Sequence, residues 1–600
     1  MKRTIALICV VLLIAAVFSG CASPAANPAA TDAPAATKAP EATKAPATQA
    51  PAATEAPAAT EAPEATPEPE PDSPYHFAKG NFKADANGMP LEKYTYELPL
   101  TTTDEEISCW TTLYTPQWLE TEYEDSPYPI ELEKITGVHI AYNVVSSATR
   151  SDNFSVMLAA DELPDVMSQA NYFYNGDFRK GITEEGYFVN LYDWREYIPN
   201  YLYEVNKSPE DEGLQNSVYL QNDLIGCFYC LRDRAYVQNG VFVRGDWIDQ
   251  LGLDPDMFKT WQGIYDGLMA FKTQIPTATY PCILFTTLES GGYHWDCFDT
   301  YCYTGSSMMM LVDENGQVFG ANTTYRDKEL MTEINRWFMD GIFDPMWMSF
   351  DTMTAAGYMD RWVGDQIGYS VQSTSTGIEQ EIILDTPGAQ MLPMPDPVLY
   401  EGQILHVGTN DSRLYYGSAA VSAKCENIPL ALTWIDWRYS EEGSDFCTMG
   451  VEGYGFEYNE KGEKRVSEFV RSNPLYVYSM HILLYALDSM VDPGLDKNYQ
   501  HYWYDGGDRI IETYDTFAAY KKAGFDGSFL LPRSLKLTDD ERSASSTLGA
   551  ELGTYISENY LAFVDGSKPL TEWDSYVKGL EEIGLNDYLA IYQGAYERVK

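Results

Sequence analysis

Basic residues are scarce in this chain: 40 Lys and Arg stand against 89 Asp and Glu, a formal net charge of -49. A field of that sign repels phosphodiester backbones and anionic headgroups, which argues against nucleic-acid binding and against docking on bare anionic lipid. Cysteine is also little used. Of the ten, Cys9 and Cys21 sit near the start and the rest are scattered, so no disulfide scaffold is indicated in a chain of 600 residues. Cys227 and Cys230 form a lone C-x-x-C inside "NDLIGCFYCLRD", which reads as a short apolar strand. Residues three apart on a strand point to opposite faces, so the two thiols diverge instead of chelating, and no second pair stands at zinc spacing. A bridge involving Cys297 or Cys302 stays open. H-E-x-x-H, G-x-S-x-G and P-loop signatures are absent, which leaves metalloprotease, serine-hydrolase and nucleotide chemistry without support.

Long apolar runs are missing too, apart from "TIALICVVLLIAAVF" behind Met1, Lys2 and Arg3. That run is short for a bilayer span and has the charge pattern of an export leader. It ends in "VFSGCAS", where small residues precede Cys21 in the manner of a lipoprotein cleavage site, although Phe18 replaces the more usual Leu. Residues 1–20 are therefore read as a signal peptide and Cys21 as the lipidated first residue. Two or more acyl chains would anchor it stably where one would not. Residues 21–74 are mostly Ala, Pro, Thr and Glu, with "ATEAP" and "ATKAP" recurring. They hold no apolar set from which to build a core, so they read as a disordered tether, about 150 Å long at the polyproline limit.

From about Pro74 to Lys600 the chain is long enough for two or more domains. "EISCWTTLY" and "VHIAYNVV" read as strands around the helix pattern "YPIELEKITG". "SDNFSVMLAADE" reads as a helix capped by its own Ser or Asp, and "LPDVMS" as a third strand. Strands alternating with helices imply right-handed βαβ units. The pattern resumes in "VQNGVFVRGDWIDQLGL" and continues through "KTWQGIYDGLMAFKTQ", with Thr260 as N-cap, to "YPCILFTT", "TYRDKELMTEINRWFMDGIF" and "DQIGYSVQS". The tail beyond about Pro474 reads as helical.

In this order, "LAADELPDVM", "VRGDWIDQLGL" with "TWQGIYDGLMAFK", "ALTWIDWRYSEEG", "GVEGYGFEYNEKGE" and the tail "LTEWDSYVKGLEEIGLNDYLAIYQGAYERVK" resemble extracellular solute-binding proteins of carbohydrate ABC importers. The likeness is to family 1, the large Gram-positive lipoprotein branch. It implies an α/β, two-lobe, periplasmic-binding-protein-like fold of class II. Each lobe would be a mostly parallel sheet flanked by helices, with a helical C-terminal region. Residues 75–235 and 405–465 are assigned to lobe I, and 236–404 and 466–600 to lobe II. The resemblance further implies a monomer without cofactor that captures a sugar in the interlobe cleft and hands it to ABC permease subunits. Its place would be the outer face of the cytoplasmic membrane, held only through its lipid. Some relatives carry a calcium loop, but "FKTQIPTATYPC" has no carboxylate and "DENGQ", Asp313 to Gln317, lacks the remaining ligands, so no metal is expected.

A sugar has hydroxyls on its rim and C–H groups on its faces, so its receptor needs aromatic plates beside planar polar groups. Such residues belong just after strand C-termini, on the loops that face the cleft. This rule nominates Trp110, Tyr114 and Asn171, then Arg232 and Asp233 near the crossing. In lobe II it nominates Glu289, Tyr293, Trp295 and Asp296 of "TTLESGGYHWD", Gln372 of "SVQSTST", and Tyr454 of "GVEGYGF". Against each stands a structural role: Trp110 as core, Arg232 and Asp233 as a hinge ion pair. His294 reads as a hydrogen-bond donor, not a catalyst. Two other functions compete with capture for import. One is a sensor that presents its sugar to a membrane kinase; the other is an exported glycan-cleaving enzyme, for which abundant carboxylates supply accidental pairs.

Overall fold

The structure is a computed structural model. It describes residues 73–600 except 175–176, 222, 236, 238, 284–294, 302–307, 350–360, 363, 375–376, 379–380, 382–385, 387, 409–411, 473–480, 498–507, 533–534 and 536. Cys21, Glu289, Tyr293, His294 and Cys302 therefore lie outside the described residues.

The strands that position the site are β1 (Glu106–Thr111), β2 (His139–Val144), β3 (Val166–Ser168), β4 (Phe228–Arg232), β5 (Asn239–Arg244), β6 (Tyr369–Ser373), β7 (Met391–Met394), β8 (Leu414–Val421) and β9 (Leu495–Asp496). The first sheet has the order β9-β4-β8-β3-β1-β2. β1 pairs in parallel with β2 and β3, and β9 with β4, whereas β8 runs against both neighbours. That single reversal matters for the site. It brings the start of β8, Leu414 to Tyr416, to the edge where β1, β3 and β4 end.

Period-two burial on β1 and β2 sends Ile107, Cys109 and Ile140 into the core. The helix Ile428–Trp437 is buried from Leu430 to Trp437, polar residues included. Asp436 survives there because Tyr201 N (2.7 Å), Asn200 N (3.1 Å) and the Tyr96 hydroxyl (2.8 Å) all donate to it. The helix Pro127–Thr136 stops at Gly137, whose φ of 70° ends it in the left-handed region. The helix Arg150–Ala160 starts earlier than expected, after the turn Ser147–Thr149, so Ser151 and Asp152 lie inside it and do not cap it.

The chain leaves the first sheet after Arg232 and enters the second at Asn239. In that sheet β5 is central and antiparallel to both β6 and β7. Among the described residues these three strands are antiparallel, while Cys282, at the start of the expected strand "YPCILFTT", bridges Tyr369 and Phe343 in parallel and the rest of that strand lies outside the described residues. The core of the second lobe joins Trp247, Trp261, Phe271 and Trp337 to the C-terminal helices Asp539–Val564, Trp573–Ile583 and Leu585–Glu597. Thr260 caps the helix Trp261–Gln274, accepting from Gly263 N at 3.1 Å.

The return to the first lobe lasts longer than the expected boundary at 465. Val466, Val470, Ile482, Leu484 and Tyr485 pack with Leu113 and Tyr123, and β9 pairs with β4. Only after Asp496 does the chain pass to the helix Asp508–Gly524. Among the described residues, no helix is long and apolar enough to cross a membrane.

Candidate functional site

Open α/β sheets bind ligands outside the carboxyl ends of their strands. On the first sheet that edge is organised by Gln169, directly after β3. Its φ of 57° is the left-handed region, which a residue with a Cβ holds only when its surroundings impose it. Gln169 N donates to Ser418 O (2.6 Å), its Nε2 donates to Met490 O (2.9 Å), and its Oε1 accepts from Arg150 Nη1 (2.5 Å). Three chain segments therefore fix one residue.

Arg150 is buried beneath this turn. Its other guanidinium nitrogen, Nη2, donates to Ser168 O (2.7 Å). The cation lies 4.8 Å from the Trp110 ring centre and 4.6 Å from that of Phe173. Burial pulls its pKa down to about 10, opposed by Asp492 and Asp488. It stays charged at neutral pH.

The turn delivers neutral groups to the edge. Asn171 Oδ1 accepts from Ser418 Oγ at 2.7 Å. Tyr172 and Tyr416 are 56% and 50% exposed and close enough for the Tyr416 hydroxyl to help raise the pKa of Tyr172, after burial and Cys227. Tyr415 lies 4.9 Å from Tyr416, with the Arg232 guanidinium 4.0 Å above its ring. Tyr114, half-exposed beyond β1, is placed by its backbone N–H on Asp488 Oδ2 (3.0 Å). Flat rings around an amide and a hydroxyl suit a ligand with apolar faces and a hydroxyl rim.

Behind this edge run Asp488, Asp492 and Asp496. Burial pushes Asp488 and Asp496 up to about 7 and raises Asp492. Arginines oppose that shift: Arg150 for Asp488, Arg438 then Arg150 for Asp492, and Arg232 for Asp496. Ser168 Oγ donates to Asp492 Oδ1 at 2.5 Å.

The nominated residues divide. Tyr114, Asn171, Arg232 and Asp233 gather at this edge, Asp233 N donating to Asp496 O at 3.2 Å. Trp110 does not face it. The ring is fully buried against Phe154 and Phe173, and its Nε1 donates to Asn153 Oδ1 at 2.7 Å, so it supports Arg150 from below. Trp295 is corrected more fully. It is 0% exposed and packs 5.5 Å from Trp261 in the second-lobe core. Asp296 is buried beside it, its pKa driven well up by burial and then by Asp396.

Gln372 lies near the end of β6, its Nε2 donating to Ser370 Oγ at 3.0 Å. Tyr454 is exposed but belongs to a separate aromatic group, stacked 5.8 Å from Tyr485 with Phe469 edge-on at 5.5 Å. Sequence reading missed Tyr172, Tyr415 and Tyr416. Tyr172 stands one residue past a nominated position. The other two open a strand, where a rule based on strand ends does not look unless the reversal of β8 is known.

Among the described residues, no three His, Cys, Asp or Glu gather as a metal site. Asp313 spends its Oδ1 on the backbone of Asn315 (2.9 Å) and Gln317 (2.8 Å), closing a hairpin turn. Cys227 and Cys230 are buried thiols whose pKa values burial raises.

No family model matches the chain. Lipoprotein LipO of Bacillus subtilis is 24% identical over 356 residues, 57% of this chain and 66% of that protein. The polygalacturonan/rhamnogalacturonan-binding protein YtcQ of the same species is 28% identical over 149 residues, 24% of this chain and 27% of its own length. The fructooligosaccharide ABC transporter substrate-binding protein FusA of Streptococcus pneumoniae is 22% identical over 492 residues, 78% of this chain and 86% of that protein. The structure of FusA in complex with kestose superposes with a TM-score of 0.63, covering 82% of this chain and 99% of that one at 19% identity. The fold is thus the two-lobe fold of solute-binding proteins. In sequence it is similar to substrate-binding proteins of sugar ABC transporters such as FusA.

Proposed function

We propose that this protein captures a carbohydrate, an oligosaccharide by preference, in the cleft between its lobes and delivers it to an ABC permease without altering it chemically. The observation that carries the reading is the edge formed by Tyr114, Tyr172, Tyr415, Tyr416 and Asn171, held by the Arg150–Gln169 clamp in a fold whose relatives are substrate-binding proteins. Gln372, near the end of β6 and in register with Gly240 just past the crossing, is the nominated second-lobe residue assigned to the same ligand. A ligand touching both lobes would favour the closed form by its differential affinity, and the permease would read that form.

The lipoprotein part of the reading rests on "VFSGCAS" and on the kinship with LipO. Acylated Cys21 would hold the protein on the outer membrane face, with the Ala/Pro/Thr segment as its leash. The test is calorimetry and thermal shift over plant, host and microbial oligosaccharides, with mass spectrometry of the recovered glycan. Saturation at a hundred times Kd raises stability by about 2.7 kcal/mol. Binding with the glycan returned intact is expected. A shortened glycan, or no heat with any glycan, overturns the reading.

A further inference from the structure

The charges at the site define its ligand more narrowly. We infer that the edge takes an uncharged glycan and discriminates against uronate and amino-sugar oligomers, an inference that rests on the carbohydrate reading above. A polyuronate receptor must offer cations to its ligand, because an unpaired carboxylate taken out of water is strongly disfavoured. Here the cations behind the edge are already committed. Arg150 and Arg438 are 2% and 4% exposed. Arg150 spends its terminal nitrogens on Ser168 O and Gln169 Oε1, and Arg438 Nη1 donates to Pro493 O at 3.3 Å. Both lie in the field of Asp488 or Asp492, and Arg232 in that of Asp496 while its face covers Tyr415.

Cations of the crossing and the adjoining second lobe also have carboxylate partners, Arg244 being buried and Arg234 exposed. Arg234 meets Asp515 at 3.7 Å, Arg509 meets Glu381 at 2.5 Å, and Arg244 meets both Asp246 (2.6 Å) and Asp365 (2.5 Å). A ligand charged at every sugar would therefore enter a field set by the net charge of -49, and the described guanidiniums behind this edge already face protein partners. An ammonium-bearing oligomer gains from that field at long range. At the edge it finds carboxylates that are buried behind neutral groups and already faced by arginines. Beside the half-buried Arg232 and Asp233, which are of opposite charge, what the edge turns outward is phenol, amide and hydroxyl, the complement of an uncharged sugar.

Isothermal titration of the intact mature protein with three oligosaccharide sets, at 50 mM and 300 mM NaCl, tests this. The sets are neutral (fructo-, gluco-, galacto- and manno-oligosaccharides), uronate (oligogalacturonates and oligoalginates) and cationic (chitosan oligomers). The expected result is binding to a member of the neutral set, with Kd changing less than about 2-fold between the two salts, and at least about 10-fold weaker binding to both charged sets. Tighter binding to either charged set, weakening steeply with salt, overturns the inference and leaves the carbohydrate reading standing. Silence in all three sets overturns the inference and the carbohydrate reading together.

Discussion

At the scale of single residues, two kinds of aromatic substitution should have opposite consequences. Tyr172→Ala and Tyr416→Ala remove half-exposed rings from the edge. Each is expected to weaken glycan binding about 3- to 10-fold, equivalent to roughly 0.7–1.4 kcal/mol, while the melting temperature stays nearly constant. Trp295→Ala empties a core position beside Trp261 and should cost about 3–5 kcal/mol of stability in urea unfolding, with unchanged Kd in the fraction that folds. A Trp295→Ala protein of normal stability and lost affinity would return that ring to the binding site. The chain composition makes aromatic plates visible, but it does not say which are exposed. Trp295 follows a glycine-rich polar loop and so reads as exposed. Its burial is decided by Trp261, supplied by a helix well upstream in the chain, and no local pattern carries that information.

At the scale of elements, helices and their ends were legible because capping chemistry is local: Thr260 and Gly137 do what their positions imply. The pairing of β8 was not, because its direction depends on partners two hundred residues away in the chain. The late return to the first lobe was hidden for the same reason, since Val466 and Tyr485 find their partners in Leu113 and Tyr123. Burying polar groups on these elements has a consequence for pH. Asp436 in the helix Ile428–Trp437, with Asp488 and Asp496 behind the sheet edge, titrates near 7 in the folded chain because burial disfavours the carboxylate. Unfolded, such groups titrate near 3.9. The folded protein then holds protons that the unfolded chain has lost, so the stability these groups contribute is full below about pH 4 and is lost as pH rises to about 7. Self-repulsion of the acidic chain acts in the same direction. Urea unfolding is expected to give a free energy lower at pH 8 than at pH 5 by several kcal/mol, about 2.6 kcal/mol for each such carboxylate taken alone. A higher value at pH 8 would mean that these carboxylates are ionised at little cost.

At the scale of the whole molecule, the class of fold was readable from five segments in a fixed order, which mark a helix-to-strand link, a strand-to-helix link, a pair of buried helices, a short hairpin and the C-terminal helices. The binding edge was readable only in part, since it is assembled from β1, β3, β4, β8 and the 488–496 segment. The proposed anchoring, by contrast, rests on the single thiol of Cys21. Cys21→Ser is expected to release the protein into the medium and to abolish incorporation of a palmitate analogue. Retention on the membrane with undiminished labelling would contradict lipidation at that thiol. The central claim is that two α/β lobes close on a sugar, and small-angle X-ray scattering of the mature protein measures it most directly. With a glycan shown by calorimetry to saturate the site, the radius of gyration should fall and the maximum dimension shorten. Superimposable curves with and without that saturating glycan would contradict it.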